Sequence, residues 1–306
     1  MGKEHTISEI VKECLICASP YHTPYLNVPN RFQLEQKFHL VRCTRCGFVY
    51  LSPRPDEQEI LEFYEETDYQ PHQKDAKSIA EKIYQKVRIW NNRYKRHLIE
   101  KYTPRGIILD YGCGTGEFLL EMQNAGWKTY GFEPADKAAQ VARQYGIELL
   151  DSLSHLNTPV DAITLWHVLE HIHHPTVLLK SLKSHLSPNG YLFIAVPNRL
   201  SLDARIFRNN WVAFDAPRHL YHFRPDDIQS LLHSVGLNIL DYKGLHFDPW
   251  YNTLLSVSLE GHSKNSLKKF LAFAKGAGVA ILASLQGFLF HKKNSSVIYV
   301  ATPNRD

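Results

Sequence analysis

Asp110-Tyr-Gly-Cys-Gly-Thr-Gly116 joins a short apolar run, Gly106-Ile-Ile-Leu109, to Glu117-Phe-Leu-Leu-Glu-Met122. The first run reads as a buried strand and the second as the opening of a helix, so the glycines occupy the turn between them. Glycine lets the backbone come close to a ligand. The helix N-terminus adds free N–H groups and partial positive charge, which together suit a small anionic group. An acid, Glu133, closes the next apolar segment, Trp127-Lys-Thr-Tyr-Gly-Phe132. That is about where a nucleotide-binding α/β fold puts its ribose-binding carboxylate. Dinucleotide sites use G-x-G-x-x-G, whereas Gly112, Gly114 and Gly116 give G-x-G-x-G.

A second chemistry lies near the N-terminus. Cys14-Leu-Ile-Cys17 and Cys43-Thr-Arg-Cys46, followed by Gly47, are two C-x-x-C knuckles. Each knuckle lets two sulfurs converge on one ion, and four thiolates suit tetrahedral Zn²⁺. Four cysteines leave no open coordination position, so such a zinc is structural. Residues 1–52 are too few for much of a core, and metal binding would supply their folding energy.

Histidines make the third set. Asp161-Ala-Ile-Thr-Leu-Trp166 reads as a strand and runs into His167-Val-Leu-Glu-His-Ile-His-His-Pro175. His167, Glu170 and His171 match H-x-x-E-H, an inverted zinc-protease pattern. That pattern needs a long helix, which the strand before it and Pro175 after it oppose. Some of His167, His171, His173 and His174 then serve as solvated or capping residues. A loop rich in Trp, His, Tyr and Arg follows, Asn210 to Arg224. His219 is the first candidate general base, with His167 and His171 as the others, because histidine titrates near neutral pH. Tyr221 or Arg218 would orient a substrate. In the competing structural reading, His219 and His222 pin the loop through backbone hydrogen bonds.

The elements that must hold these groups alternate from residue 106 onward. Strands read at 106–110, 128–132, 147–150, 161–166, 190–196, 237–246 and 296–302, and helices near 116–125, 135–145, 174–186 and 225–235. This order implies an α/β fold with a Rossmann-like, doubly wound, mostly parallel seven-stranded sheet. Residues 1–52 form a small zinc-ribbon-like module. Residues 53–103 form a helical linker or lid, where Ile79, Ile83, Val87 and Trp90 recur at helical spacing. Residues 104–306 form the main domain, with an apolar helical insertion at 248–295.

The chain has 306 residues, 44% hydrophobic and 22% charged, with net charge +4 and five cysteines. These are globular values, with no dense basic field to require nucleic acid. A polar start without an apolar core, together with paired cysteines, points to a reducing cytoplasm. Within 267–290 the longest uncharged apolar run, Gly276 to Phe290, is shorter than the ~20 residues that span a bilayer. The segment reads as a helical hairpin turning near Gly276 and Gly278, or as a peripheral membrane contact.

The loop "DYGCGTG", the string "DAITLWHVLEHIHHP" and the segment "PRHLYHF" together resemble class I S-adenosylmethionine (SAM)-dependent methyltransferases. The likeness is to the bacterial small-molecule branch that includes ubiquinone-type and cell-surface-sugar methyltransferases. It spans roughly residues 106–245, with the motifs in order. It implies a SAM-binding set of Asp110, Tyr111, Gly112, Cys113, Gly114, Gly116, Phe118, Glu133 and Pro134. Asp110 would face the cofactor's ammonium, and Asp151 or Ser152 would approach the adenine, with a turn cap as the competing role. Trp166 and His167 would lie beside the transferred methyl. Helices in the position of 53–103 often cover such a cleft. The acceptor implied is a small molecule, lipid- or sugar-linked in one version, methylated on oxygen or carbon. Two alternatives stay open. One is an RNA methyltransferase gripping nucleic acid through the zinc module and Arg31, Lys37, Arg42 and Arg45. The other is a SAM-binding protein without turnover.

Overall fold

A computed structural model describes residues 8–65, 79–260 and 266–304. The polar start of the chain, residues 1–7, lies outside the described residues. Three strands come first: β1 (His22–Pro29), β2 (Lys37–Cys43) and β3 (Val49–Leu51). Helices α1 (Glu59–Glu65) and α2 (Ile79–Ile99) follow. The alternating part begins with β4 (Ile107–Tyr111), α3 (Glu117–Asn124), β5 (Lys128–Phe132), α4 (Asp136–Gln144) and β6 (Glu148–Leu149). It continues through β7 (Val160–Trp166), α5 (Pro175–His185), β8 (Leu186–Pro197) and α6 (Leu202–Phe207) to β9 (Tyr221–His222). The chain closes with α7 (Pro225–Ser234), β10 (Leu237–Gly244), α8 (Asp248–Leu259), α9 (Ser266–Leu289) and β11 (Ser296–Pro303).

Seven strands form one sheet in the order β10-β11-β8-β7-β4-β5-β6. Only β11 runs against its neighbours. Its faces sort by the two-residue period of a strand. Leu109, Ile163, Leu192, Ile194 and Tyr299 face one side, where Leu179 and Leu182 of α5 and Ile228 and Leu231 of α7 cover them. Their neighbours Ile108, Ala162, Phe193 and Val300 face the other, under Leu119 and Met122 of α3 and Ala142 of α4. Helices on both faces make the sheet doubly wound. The helix boundaries follow local chemistry. Pro175 and Pro225 stand at the first turns of α5 and α7, where the missing N–H has no intrahelical partner to lose. Asp227 accepts the Arg224 N–H at 2.8 Å, closing the start of α7.

The cysteine segment builds a second, antiparallel sheet in the order β1-β2-β3-β9. Its last strand comes from far along the chain: Val49 pairs His222 and Tyr50 pairs Tyr221. Phe48 stacks between Tyr50 and Tyr221. The four-cysteine segment and the loop carrying His219 therefore share one sheet.

The insertion differs from the turn expected at Gly276 and Gly278. α9 runs unbroken through both glycines, and it packs along α8. A Cβ on Gly276 would meet Val257 Cγ2 at 2.9 Å. The glycine is there for helix-to-helix approach, not for a turn. One helix, over Phe270–Leu289, is long and apolar enough to cross a membrane by length and composition. The uncharged run alone missed this because Lys275 interrupts it.

Gly131 on β5 tests how tightly the sheet holds the glycine loop. A Cβ there would stand 2.7 Å from Leu149 Cδ2, 2.8 Å from Cys113 Sγ and 3.0 Å from Leu119 Cδ1. Gly131→Val is expected to destabilise by about 1–3 kcal/mol through overpacking. Denaturant unfolding with an unchanged midpoint would show the space to be more forgiving than the geometry says.

Candidate active site

Gly112, Gly114 and Gly116 all adopt left-handed backbone, with φ of 77°, 55° and 77°. A Cβ on Gly112 would lie 2.5 Å from Val168 Cγ2, so the loop is pressed against the chain just after β7. Gly116 starts α3 with no side-chain cap, which leaves N–H groups of the first turn for a ligand. Glu133 follows β5 and spans the loop: one oxygen accepts the Gly114 N–H at 2.8 Å, the other the Ala135 N–H at 2.9 Å. Burial pushes its carboxyl upward, against those two hydrogen bonds.

Around this cradle the residues expected from the sequence fall into two groups. Tyr111 stacks on Phe132 at 4.6 Å. Phe118 meets Trp166 edge to face at 5.5 Å, and the buried Trp166 Nε1 has no hydrogen-bond partner among the described residues. Pro134 is exposed beside Glu133. Asp110 is buried and accepts the Thr164 hydroxyl at 2.5 Å. Burial raises its carboxyl to about 7, offset in part by Thr164 and Lys95. Cys113 faces β5, and burial pushes its thiol up, which suits packing rather than nucleophilic chemistry. Asp151 is exposed and 3.8 Å from Arg143. Ser152 accepts the Ser154 N–H at 3.2 Å as a turn cap. An open glycine cradle, free helix N–H groups, the acid across the loop and the unpaired indole N–H fit SAM.

Lys95 is a residue that the sequence did not single out. It reaches from α2 to 4.4 Å above the Trp166 ring. Burial lowers its amine to about 8, against the pull of Asp110 and Asp248. Only helical spacing in α2 could have pointed to it.

The histidines gather at the end of β7. His167 has φ +57°, and its N–H still bonds Ala195 of β8 at 2.9 Å. The left-handed turn aims its ring between two acids: Nε2 lies 2.9 Å from Asp248 and Nδ1 3.5 Å from Glu170. Burial opposes its charge, but Asp248 and Glu170 outweigh that and raise it to about 10. His167 is thus held as a cation between two acids. The H-x-x-E-H segment is a single 3₁₀ turn, Leu169–His171, not the helix a metalloprotease needs.

His171 and His219 stack edge to face, ring centres 4.5 Å apart. His171 Nδ1 lies 3.0 Å from the Arg218 carbonyl and 2.8 Å from the Tyr64 hydroxyl. His219 Nδ1 lies 2.8 Å from the Ala213 carbonyl. That bond fixes Nδ1 as the protonated nitrogen. Nε2 is left facing Glu170 at 4.0 Å and Asp215 at 3.8 Å. Burial holds both rings below the ordinary histidine value, His219 well below it. His219 therefore pins the loop with one nitrogen, as the structural reading of the sequence had it, and leaves the other facing two acids.

The structure does not bring Tyr221 to this cluster. Its buried hydroxyl donates to the His173 carbonyl at 2.9 Å and accepts from Arg54 at 2.8 Å, so it secures the two sheets. Arg218 turns to Asp215 and to the Phe32 ring. His222 is buried on Phe214, and burial lowers its ring to about 3. Tyr64, Asp215 and Asp248 are site residues that sequence reasoning missed, since nothing in their local spacing marks them.

Two groups among the described residues could hold a metal ion: Cys14, Cys17, Cys43 and Cys46, and Glu170, His171 and His219. In the first, Cys14 and Cys46 sulfurs are 3.5 Å apart and Cys17 and Cys43 sulfurs 3.6 Å. A tetrahedron with Zn–S bonds of ~2.3 Å has edges of about 3.8 Å, so the thiolates fit zinc.

Comparison with known proteins agrees with this geometry. A family model described as a methyltransferase domain matches residues 85–242. A ubiquinone biosynthesis O-methyltransferase of Xanthomonas axonopodis pv. citri is 26% identical over 162 residues, 47% of this chain and 68% of that protein. Its counterpart in Xanthomonas campestris pv. campestris is 25% identical over 166 residues, 49% of this chain and 70% of that protein. The magnesium protoporphyrin IX methyltransferase of Synechocystis PCC 6803, solved with S-adenosylhomocysteine, shares the fold. Its TM-score is 0.50, with 15% identity, 81% of this chain and all of that chain covered.

The His167 clamp has a pH signature. A histidine at about 10 in the folded state, against an ordinary 6.5, adds stability that is complete below pH ~6.5. It is lost as pH rises through about 10. The ring is 35% exposed, so water screens part of the effect. Asp248→Asn should flatten the fall in unfolding temperature between pH 7 and 10 relative to the parent. Parallel curves would refute the clamp.

Proposed function

The chain belongs to the methyltransferase-domain family and is a SAM-dependent methyltransferase, and on that premise we propose that it methylates a hydroxyl oxygen or acidic carbon of a small-molecule acceptor. Bound SAM supplies a methyl group already activated for transfer. The observation that carries the acceptor chemistry is His219. It is neutral, it is held by Ala213 through Nδ1, and its Nε2 faces Glu170. Glu170 follows Val168, the residue pressed against the glycine loop.

His219 takes the acceptor's proton at Nε2, and the Glu170 carboxyl stabilises the ring cation that results. Gly112 to Gly116 and Glu133 hold the cofactor. The relatives named as O-methyltransferases favour oxygen over carbon. A lipid-linked acceptor is the version that the apolar insertion supports, and a sugar-linked one has no comparable structural support. Zinc held by Cys14, Cys17, Cys43 and Cys46 is structural in this reading. It stiffens the cysteine module, while the helical linker covers the cleft and the main domain carries the transfer; residues 66–78 of the linker lie outside the described residues. The zinc module's sheet borrows β9, so its role is to fix the His219 loop. The RNA alternative weakens because Arg31 is drawn inward to Asp215 at 3.2 Å. A reducing cytoplasm suits the free thiols.

Three outcomes are expected. Titration calorimetry with SAM and S-adenosylhomocysteine gives micromolar binding that Glu133→Ala abolishes; no binding of either ligand to folded protein would sink the reading. With an acceptor in hand, His219→Ala lowers kcat ~10²–10⁴-fold at unchanged SAM affinity, and His171→Ala less. A loss confined to KM would make His219 a binding residue. For the metal, purified protein carries one zinc per chain, and Cys43→Ser with Cys46→Ser removes it and lowers the unfolding temperature while SAM still binds. A zinc-free parent of equal stability would contradict a structural site.

A further inference from the structure

α9 is built inside out. Its buried positions are Gly276, Val279, Ala280, Ala283 and Gly287, which recur at helical spacing as one small-residue stripe. The stripe lets the helix lie close on α8, where Gly276 meets Val257, and on Asn294, whose side chain would stand 2.4 Å from a Cβ at Gly287. Its large side chains point the other way. Leu267, Phe270, Leu271, Phe273, Ile281, Leu282, Leu285, Phe288 and Leu289 are all exposed, Phe270 by 66% and Phe288 by 69%. A water-facing helix normally puts small and polar residues outside. A contiguous apolar face of this size marks a partner.

Charge says which partner. Lys268 and Lys275 stand on the N-terminal half of the helix and Lys292 and Lys293 just beyond its end, all exposed. Arg205 and Arg208, exposed on and just after α6, belong to the helix that packs on α9. Among the described residues of α6, α8 with its C-cap, α9 and the turn at 291–293, the C-cap Glu260 is the one exposed acid, and it pairs with Lys275 at 2.7 Å. Apolar side chains bordered by lysine and arginine, with Trp250 and Tyr251 exposed on the adjoining helix, match the interface of an anionic bilayer. The buried stripe keeps α9 on the domain, so it lies along the surface rather than through it.

We propose that the outer face of α9 docks this protein on an anionic lipid membrane, with the helix lying in the plane of the interface. α9 lies outside residues 85–242, the part matched by the family model. The inference stands apart from the methyl-transfer reading, because lipid binding and SAM binding are measured separately.

The test is flotation of the full chain with vesicles of phosphatidylcholine alone and with added phosphatidylglycerol. The protein should float with the anionic vesicles, and release with rising salt. Leu282→Glu with Phe288→Glu, and separately Lys292→Glu with Lys293→Glu, should each cut the floated fraction about tenfold. SAM affinity should not change in either variant, which shows that they fold. Three results would overturn the proposal: no flotation with anionic vesicles, equal binding to neutral ones, or resistance to alkaline carbonate, which marks a spanning helix. A lipid-free dimer that Leu282→Glu with Phe288→Glu dissolves would overturn it too, in favour of a second copy on this face.

Discussion

One buried carboxyl group governs the active-site end of the molecule. Glu170 is 1% exposed, and among the described residues neither of its oxygens has a hydrogen-bond partner. A buried polar group without partners is costly unless charge or ligand compensates it. Here the compensation comes from the His167 cation at 3.5 Å, while the neutral His219 ring stands at 4.0 Å. To bring them there, the backbone accepts a left-handed turn at His167. The 211–224 segment must also return over β7, where Leu220 N–H bonds the Glu170 carbonyl at 2.9 Å. A carboxyl group held this way is poised for whatever positive charge forms beside it, and in the proposed reaction proton transfer to His219 creates one.

The N-terminal sheet follows from the same constraint. A loop that must sit over Glu170 needs an anchor on its far side, and β9 supplies one two residues after His219 by pairing with β3. Arg54 ties the join from within, bonding Tyr221 at 2.8 Å and Glu9 at 2.8 and 2.9 Å. Arg224 Nη2 and Arg199 Nη2 each donate to a carbonyl in the second cysteine knuckle, at Cys46 and Gly47. The cysteine knuckles thus bear on the His219 loop without touching His219, through the strand they share with it.

What could be read from the chain were the features written in local pattern. Apolar runs and glycine spacing located all seven strands of the large sheet, and the C-x-x-C pairs foretold sulfurs within reach of one ion. Long-range pairings stayed hidden. Nothing near Tyr221 says that its partner is Tyr50, and a residue picked for its hydroxyl turned out to hold two sheets together. His167 looked like an equal of His219 by type. Their difference lies in Asp248, many residues away, which makes one ring a cation while burial keeps the other neutral. Gly276 and Gly278 misled for a related reason. Glycine signals a turn or a close approach with equal force; at Gly276 only the position of Val257 decides between them, and Gly278 meets nothing within 4 Å.

That same α8 connects the outer surface to the site. Its first residue, Asp248, bonds His167, and its body carries the small-residue stripe of α9. A rigid helix of twelve residues, about 18 Å long, therefore has the cofactor-side histidine at one end and the exposed apolar helix along its flank. Val212 N–H bonds Ser256 Oγ of α8 at 2.9 Å, so the His219 loop rests on the helix as well. Any force that seats α9 on a surface is passed to both histidines through packed helix, with no hinge among the described residues of α8 to absorb it. An insertion that merely filled space would not need its N-terminal acid in the active site. This one has it there, which makes the placement of α9 part of how the site is held.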